Sequence, residues 1–216
     1  MIYLILPIYI PDMDNYQMTI DCENSLFDKT SNFKLITIRN GGMVYSPSLR
    51  EEIFLDFPGK LGYARAVNIG WRVCEELPDC EYVGVLNNDL IFHDNWLQPL
   101  IDHLDNKTAA CASYDQDVPE DLVSDHIWSS CFLMKNETRK KIGYFDSENL
   151  PFRYHDQDYW MRAKSMGLNF KRVGASRVDH KESSTYKKMT EKNNEGSERQ
   201  IVLNRWGVDM AQYYQP

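Results

Sequence analysis

Three polar residues in a row, Asn87, Asn88 and Asp89, close an apolar run that starts at Val83. A short apolar run bounded by polar residues reads as a buried strand, so two amides and a carboxylate stand at a strand's carboxyl end. In an open α/β sheet ligands gather at that edge, and this chemistry suits a cation or a polar ligand. The following His93-Asp94-Asn95-Trp96 leaves a second reading open, in which Asn or Asp only caps a helix. A polar set also lies upstream. Ala64, Val67, Trp71 and Cys74 fall at helical spacing while Arg65, Asn68 and Arg72 share another face. Such a face is ordinarily solvated, but its place just before the central strand makes it a candidate for contacting anions.

The elements that must position these groups alternate. Residues 2–6 read as a strand ended by Pro7, residues 13–27 as a helix, residues 33–38 as a second strand, and Arg39-Asn40-Gly41-Gly42 as the turn that ends it. A short third strand at 53–57 leads through Pro58-Gly59-Lys60-Leu61-Gly62 into the helix at 63–77, which Pro78 ends before the central strand at 82–86. This order implies βαβ units and a mostly parallel sheet. Beyond Asp89 the pattern gives a helix at 96–104, a strand at 109–113, an acidic loop at 115–125 and a strand at 127–134. A short helix at 137–142, a clearer one at 156–166 and two short strands at 170–173 and 176–178 follow. Residues 183–197 lack apolar periodicity and read as a mobile loop, with a last helix near 199–213.

With 216 residues and 43% apolar content the chain can bury a full core, and a single domain is expected. Its 24 basic and 32 acidic residues give a net charge of -8, which disfavours holding duplex nucleic acid by phosphate neutralisation. The five cysteines have no C-x-x-C spacing, so they indicate buried thiols rather than a disulfide framework or a zinc site. No basic leader and no run of about 18 apolar residues is present, so a soluble cytoplasmic protein is expected.

Taken in order, VGVLNNDL, SSCFLMKNETRKKIGYFD and PFRYHDQDYWMRAKSMG resemble the family 2 glycosyltransferases of GT-A fold, an α/β Rossmann-type sandwich. The resemblance covers about residues 1–180. It implies a nucleotide-binding half at 1–105, an acceptor and catalytic half at 106–180, and a loop and helix at 181–216. It identifies Asn87-Asn88-Asp89 as a variant of the D-x-D motif, with Asp89 binding a divalent metal, Mn2+ or Mg2+, that bridges the donor diphosphate, and Asn87 and Asn88 near ribose and sugar. His180 matches the position from which a histidine completes the metal shell, with Asp179 a weaker candidate. His155-Asp156-Gln157-Asp158 resembles the Glu-Asp-x-Asp element. Asp156 falls on the general base of an inverting transfer, His155 replaces the usual glutamate, and Asp158 with Arg162 reads as a structural i, i+4 pair.

The same resemblance fills in a donor pocket for a UDP-linked sugar. Pro7 and Tyr9 border the base, Asn40 stands where an aspartate usually accepts from it, and Lys60, Gly62, Arg65 and Asn68 approach the diphosphate or ribose. Trp128 and Ser129 would lie by the sugar or acceptor. The function implied is metal-dependent inverting transfer of a hexosyl or pentosyl group to a hydroxyl acceptor. That acceptor could be a glycan, a lipid-linked glycan, a protein or a hydroxylated DNA base, the last disfavoured by the acidic total. Two other classes compete: a nucleotidyltransferase, against which stands the lack of glycine and lysine between Pro7 and Asp14, and a noncatalytic sugar-nucleotide-binding protein of the same fold.

Overall fold

The computed structural model describes residues 1–46, 53–114, 121–124, 127, 129–181 and 195–208. In chain order the elements are β1 (Ile2–Ile10), α1 (Met13–Lys29), β2 (Phe33–Gly42), β3 (Ile53–Phe57), α2 (Tyr63–Glu76), β4 (Tyr82–Leu86), β5 (Leu90–Phe92) and α3 (Leu97–Asp102). The second half adds β6 (Thr108–Tyr114), β7 (Leu122–Ser124), β8 (Cys131–Lys135), α4 (Asn136–Ile142), α5 (His155–Ser165), β9 (Asn169–His180) and α6 (Glu195–Trp206).

The strands form one sheet in the order β3-β2-β1-β4-β8-β6-β9-β5, with β7 paired to β9. β3, β2, β1 and β4 are mutually parallel, β6 and β9 run the same way, and β8, β5 and β7 run opposite. Six of the nine strands therefore share one direction, as the alternation of sequence elements implies. Alternate residues feed two cores. Tyr3 and Ile5 of β1, Val83 and Val85 of β4 and Phe132 of β8 pack with Trp71, Tyr159 and Trp160 on one face. Leu4, Leu6 and Ile8 with Leu86 and Leu133 pack with Cys22, Leu26, Trp96 and Leu100 on the other. Helices thus cover both faces, which is what continuous apolar strands require. α2 lies close against the sheet because Gly70 has no side chain: a Cβ there would stand 2.6 Å from Ile5 Cγ2.

Several boundaries differ from the sequence reading, each for a local reason. β1 runs through Pro7 to Ile10, because its pairing with β4 stops at Ile5↔Val85 and leaves the rest of the strand with a neighbour on one side only, where a proline is tolerated. Arg39 to Gly42 stay in β2, and the two positive-φ glycines, Gly41 and Gly42, are taken up in a register shift against β1 rather than in a turn. β8 begins only at Cys131, after a turn at Ser129 and Ser130. The two short strands expected around 170–178 are one strand, β9, whose pairing with β6 skips from Val173 to Arg177. Residues 122–124 form β7 within the acidic segment. The last helix starts at Glu195, inside the segment read as a loop, while 182–194 lie outside the described residues. Among the described residues no helix is long and apolar enough to cross a membrane. The five cysteines are free and all but Cys80 are buried, and burial pushes the thiols of Cys111 and Cys131 up to about 12.

Candidate functional site

The carboxyl edge of the parallel block is where the sequence elements converge, and α1 builds the first part of it. Thr19, Cys22 and Ser25, spaced three apart and so on one helix face, all bond to the segment after β4. Asn88 Nδ2 donates to Thr19 Oγ1 at 2.8 Å, Cys22 Sγ approaches Asn87 O at 3.5 Å, and Phe92 N donates to Ser25 Oγ at 3.2 Å. Asp12 fixes the start of that helix by accepting from Asn15 N. The turn Asn87-Asn88-Asp89 is thereby held in place, with the Nδ2 end of the Asn88 amide engaged within the protein.

Pairing of β5 with β9 supplies the next member. Leu90 is opposite His180, and Lys181 N donates to Asp89 O at 2.9 Å. His180 Nε2 consequently stands 3.1 Å from Asp89 Oδ1 and 3.5 Å from Asn87 Nδ2. Asp89 is 5% exposed, and its Oδ1 makes no properly angled hydrogen bond despite its closeness to the imidazole. An orphaned buried carboxylate oxygen beside a ring nitrogen fits a cation: two ligands about 2.1 Å from one ion and at right angles stand about 3 Å apart. Among the described residues no third His, Cys, Asp or Glu joins them. Asp179 lies one residue away and, by strand alternation, on the other face of β9, where it meets His93 Nε2 at 2.9 Å.

Tyr63, the first residue of α2, connects this pair to the other acid. Its hydroxyl lies 3.0 Å from Asn87 Oδ1 and 3.1 Å from Ser129 O, and its ring centroid is 5.2 Å from that of His155. Burial raises the phenol far above its ordinary pKa, and the negative charges of Asp156 and Asp89 both add to the rise. The segments that carry the two carboxylates therefore meet at one tyrosine, through Asn87 on one side and His155 on the other. Nothing in composition or motif marked Tyr63; its signal is position, the first helical residue after Gly62. That glycine has φ +88, and a Cβ on it would meet Pro151 O at 2.9 Å, so α2 starts tight against the segment leading to α5.

Asp156 sits in the first turn of α5, is 8% exposed, and its Oδ1 accepts from Gln157 N at 3.0 Å. The turn begins at Tyr154, a non-glycine residue with φ +56, which persists only where the surroundings over-determine it. They do so through α6. Glu198 Oε2 accepts from Arg153 N at 2.7 Å, and Val202 packs with Leu150 and Tyr154. Asp158, 1% exposed, accepts from Arg205 Nη1 at 2.7 Å, Trp206 Nε1 at 3.0 Å and Arg162 Nε at 3.1 Å. The expected Asp158–Arg162 pair is thus part of a larger clasp, which sequence spacing could not reveal because its other members lie more than 40 residues on.

The remaining candidates divide. Asn68 uses both ends of its amide on the backbone of Phe145, at 2.9 Å each, and so fastens α2 to the turn before α5. Arg65 is exposed on α2. Pro7 is buried in β1; Lys60 Nζ lies 4.9 Å from the Tyr9 ring centroid and 5.4 Å from that of Phe152. Asn40 Oδ1 accepts from Leu61 N. Ser129 enters the site through its carbonyl, and Trp128 lies outside the described residues.

His155 is 5% exposed between the rings of Tyr63 and Phe145, and its Nδ1 has no hydrogen-bond partner among the described residues. Burial, the dominant cause, lowers its pKa below 6.5 despite Asp156 and Asp158 nearby. Folding therefore excludes a proton that the unfolded chain takes up near pH 6.5, and stability present above that pH is lost as pH falls toward the depressed value. Thermal melts between pH 7.5 and 5.5 are expected to show a shallower acid decline for His155→Phe than for the unmodified chain; equal slopes would remove His155 as the cause.

A doubly covered, mostly parallel sheet of this order is the architecture of the GT-A fold. The chain belongs to glycosyl transferase family 2, whose pattern matches residues 8–166. No curated protein matches it by sequence. Among solved structures it is similar to GalNAc-T7 with UDP, GalNAc and Mn2+ (TM-score 0.66, 12% identity, 83% of this chain and 43% of that one). It is also similar to the mannosyltransferase PcManGT from Pyrobaculum calidifontis with GDP-Man and Mn2+ (0.67, 12%, 83% and 56%). A third likeness is to TarS residues 1–349 from S. aureus (0.61, 11%, 99% and 74%). The chain spans about half the length of the first two, and at these identities the likeness is one of fold.

Proposed function

We propose that this chain transfers a sugar from a nucleoside-diphosphate donor to a hydroxyl acceptor with inversion at the anomeric carbon. What supports this reading is that Tyr63 joins the two segments that carry the acids: its hydroxyl is 3.0 Å from Asn87 Oδ1, two residues before Asp89, and its ring is 5.2 Å from that of His155, the neighbour of Asp156. Asp89 and His180 would hold Mn2+ or Mg2+, and the imidazole favours manganese. That ion, when bound, neutralises charge gathering on the diphosphate leaving group. GDP-Man and UDP accompany Mn2+ in two structural neighbours, so the diphosphate and the metal are common to both and the base is not.

In the reaction the acceptor oxygen forms a bond to the anomeric carbon as the carbon–oxygen bond to the diphosphate breaks on the opposite side. The acceptor's proton passes to Asp156, whose carboxylate, among the described residues, is bonded locally, to Gln157 N. Tyr63 keeps its proton, with Asn87 Oδ1 and Ser129 O both in reach of its one O–H, and so ties the start of α2 to the segments after β4 and before β8. His155, stacked and neutral, borders the acceptor side. The test is a panel of nucleotide sugars with manganese, read as release of nucleoside diphosphate, followed by acceptor trials and NMR of the product's anomeric configuration. Release that depends on manganese and stops with EDTA is expected; no metal-dependent turnover or nucleotide binding with any donor would falsify the assignment.

A further inference from the structure

We infer that Glu198 is a positioning residue for the proposed transfer: from α6 its carboxylate sets the turn that aims Asp156. The inference rests on the reading of Asp156 as the base. Glu198 is 3% exposed, and its Oε2 accepts from two successive backbone amides, Arg153 N at 2.7 Å and Phe152 N at 3.4 Å. Those amides lie in the bends of residues 151–154 that lead into α5, where no strand or helix supplies acceptors for them. Bonds from backbone N–H to a charged oxygen are the strong kind.

What these two amides control is the start of α5. Tyr154, the next residue, has φ +56, a backbone conformation that a side chain disfavours and that needs support from outside. Its carbonyl accepts from Asp158 N at 3.0 Å, the bond that closes the first turn around Asp156. On the other side of the segment Pro151 O accepts from Ala64 N, the residue after Tyr63. One short stretch thus carries both the contact to α2 and the footing of Asp156, and Glu198 holds its middle. Attachment of α6 does not require that carboxylate. Val202 and Arg205, four and seven residues on and so on the same face, already dock the helix, against Leu150 and Tyr154 and onto Asp146 and Asp158. A buried charge is a costly way to add adhesion. Fixing two amides at set places is what it does and an apolar side chain cannot.

The test is a double-mutant cycle between Glu198→Ala and Asp156→Asn. It is read as single-turnover release of nucleoside diphosphate from UDP- and GDP-linked hexoses with Mn2+, water or a simple sugar serving as acceptor. Calorimetry of UDP and GDP with Mn2+ runs beside it. Glu198→Ala is expected to slow release by about 10–100-fold, the cost of a displaced reacting group, with nucleotide affinity unchanged. Glu198→Gln, which keeps an oxygen for both amides, is expected to recover most of that loss. With Asp156→Asn already in place, Glu198→Ala should change the rate by less than about threefold, because a residue acting through Asp156 has nothing left to position. An unmodified rate in Glu198→Ala, an equal loss in both backgrounds, or loss of nucleotide affinity overturns the positioning role and leaves the transferase reading standing. No metal-dependent release by the unmodified chain overturns both. Should Glu198→Ala not fold, Glu198→Asp, which keeps the charge and withdraws the oxygen by one methylene, is read in its place against the same outcomes.

Discussion

Asp156→Asn is expected to lower the rate of sugar transfer by about 10²–10⁴-fold, the range a positioned general base contributes, while donor affinity stays where it was. The fold should not notice the change. Among the described residues the hydrogen bond that Asp156 makes accepts from Gln157 N, and an asparagine oxygen can replace it. The acids and bases that brace α5 belong instead to Asp158, Arg162 and Arg205. Single-turnover transfer and donor calorimetry on the same preparation separate the two effects. Transfer at the unmodified rate removes Asp156 as the base, and loss of donor binding together with melting temperature would make its role structural.

Asp89→Ala is expected to abolish the gain in donor affinity that manganese gives, and to cost about 10³-fold in transfer, since charge stabilisation on the leaving group is worth several kcal/mol. Asp89 Oδ1 is a buried oxygen without a hydrogen bond beside His180, and among the described residues no further acid joins that pair. The comparison that makes this specific is Asp179→Ala. That carboxylate is adjacent in sequence to His180 but is held by His93 on the opposite face of β9, and its removal should leave the manganese effect intact. Calorimetry with and without the ion reads both variants. A manganese effect surviving in Asp89→Ala, or disappearing equally in Asp179→Ala, contradicts the metal assignment.

Much of the sheet was legible because β1 and β4 are apolar runs, β2 and β3 carry apolar cores, and the helices between them have one apolar face. The Asn-Asn-Asp segment was legible for the same reason, as polar groups abruptly ending such a run. What was not legible depends on contacts between distant residues. β5 has three residues, too few for a period, and exists because β9 offers it a partner. β9 looked like two strands because Gly174, Ala175 and Ser176 drop out of the ladder with β6. The amides of Asn68 and Asn88 read as ligand-facing from their resemblance and position, and sequence could not show that Phe145 takes both ends of the first and Thr19 the Nδ2 end of the second, from 77 and 69 residues away. Tyr63 was passed over because a tyrosine opening a helix is unremarked until the acids on either side of it are located in space.

The clasp on Asp158 bears on the acid two positions before it. Two guanidinium groups and an indole N–H converge on Asp158, while Asp156 has only its local amide. The first turn of α5 thus divides its labour: one carboxylate is committed to holding the end of the chain, and its neighbour is left uncommitted for reactivity. Anchorage and the proposed chemistry are in this way assigned to different side chains, both carried on the turn that α6 braces, so that loss of Arg205 or Trp206 would disturb the footing of Asp156 without touching its carboxylate.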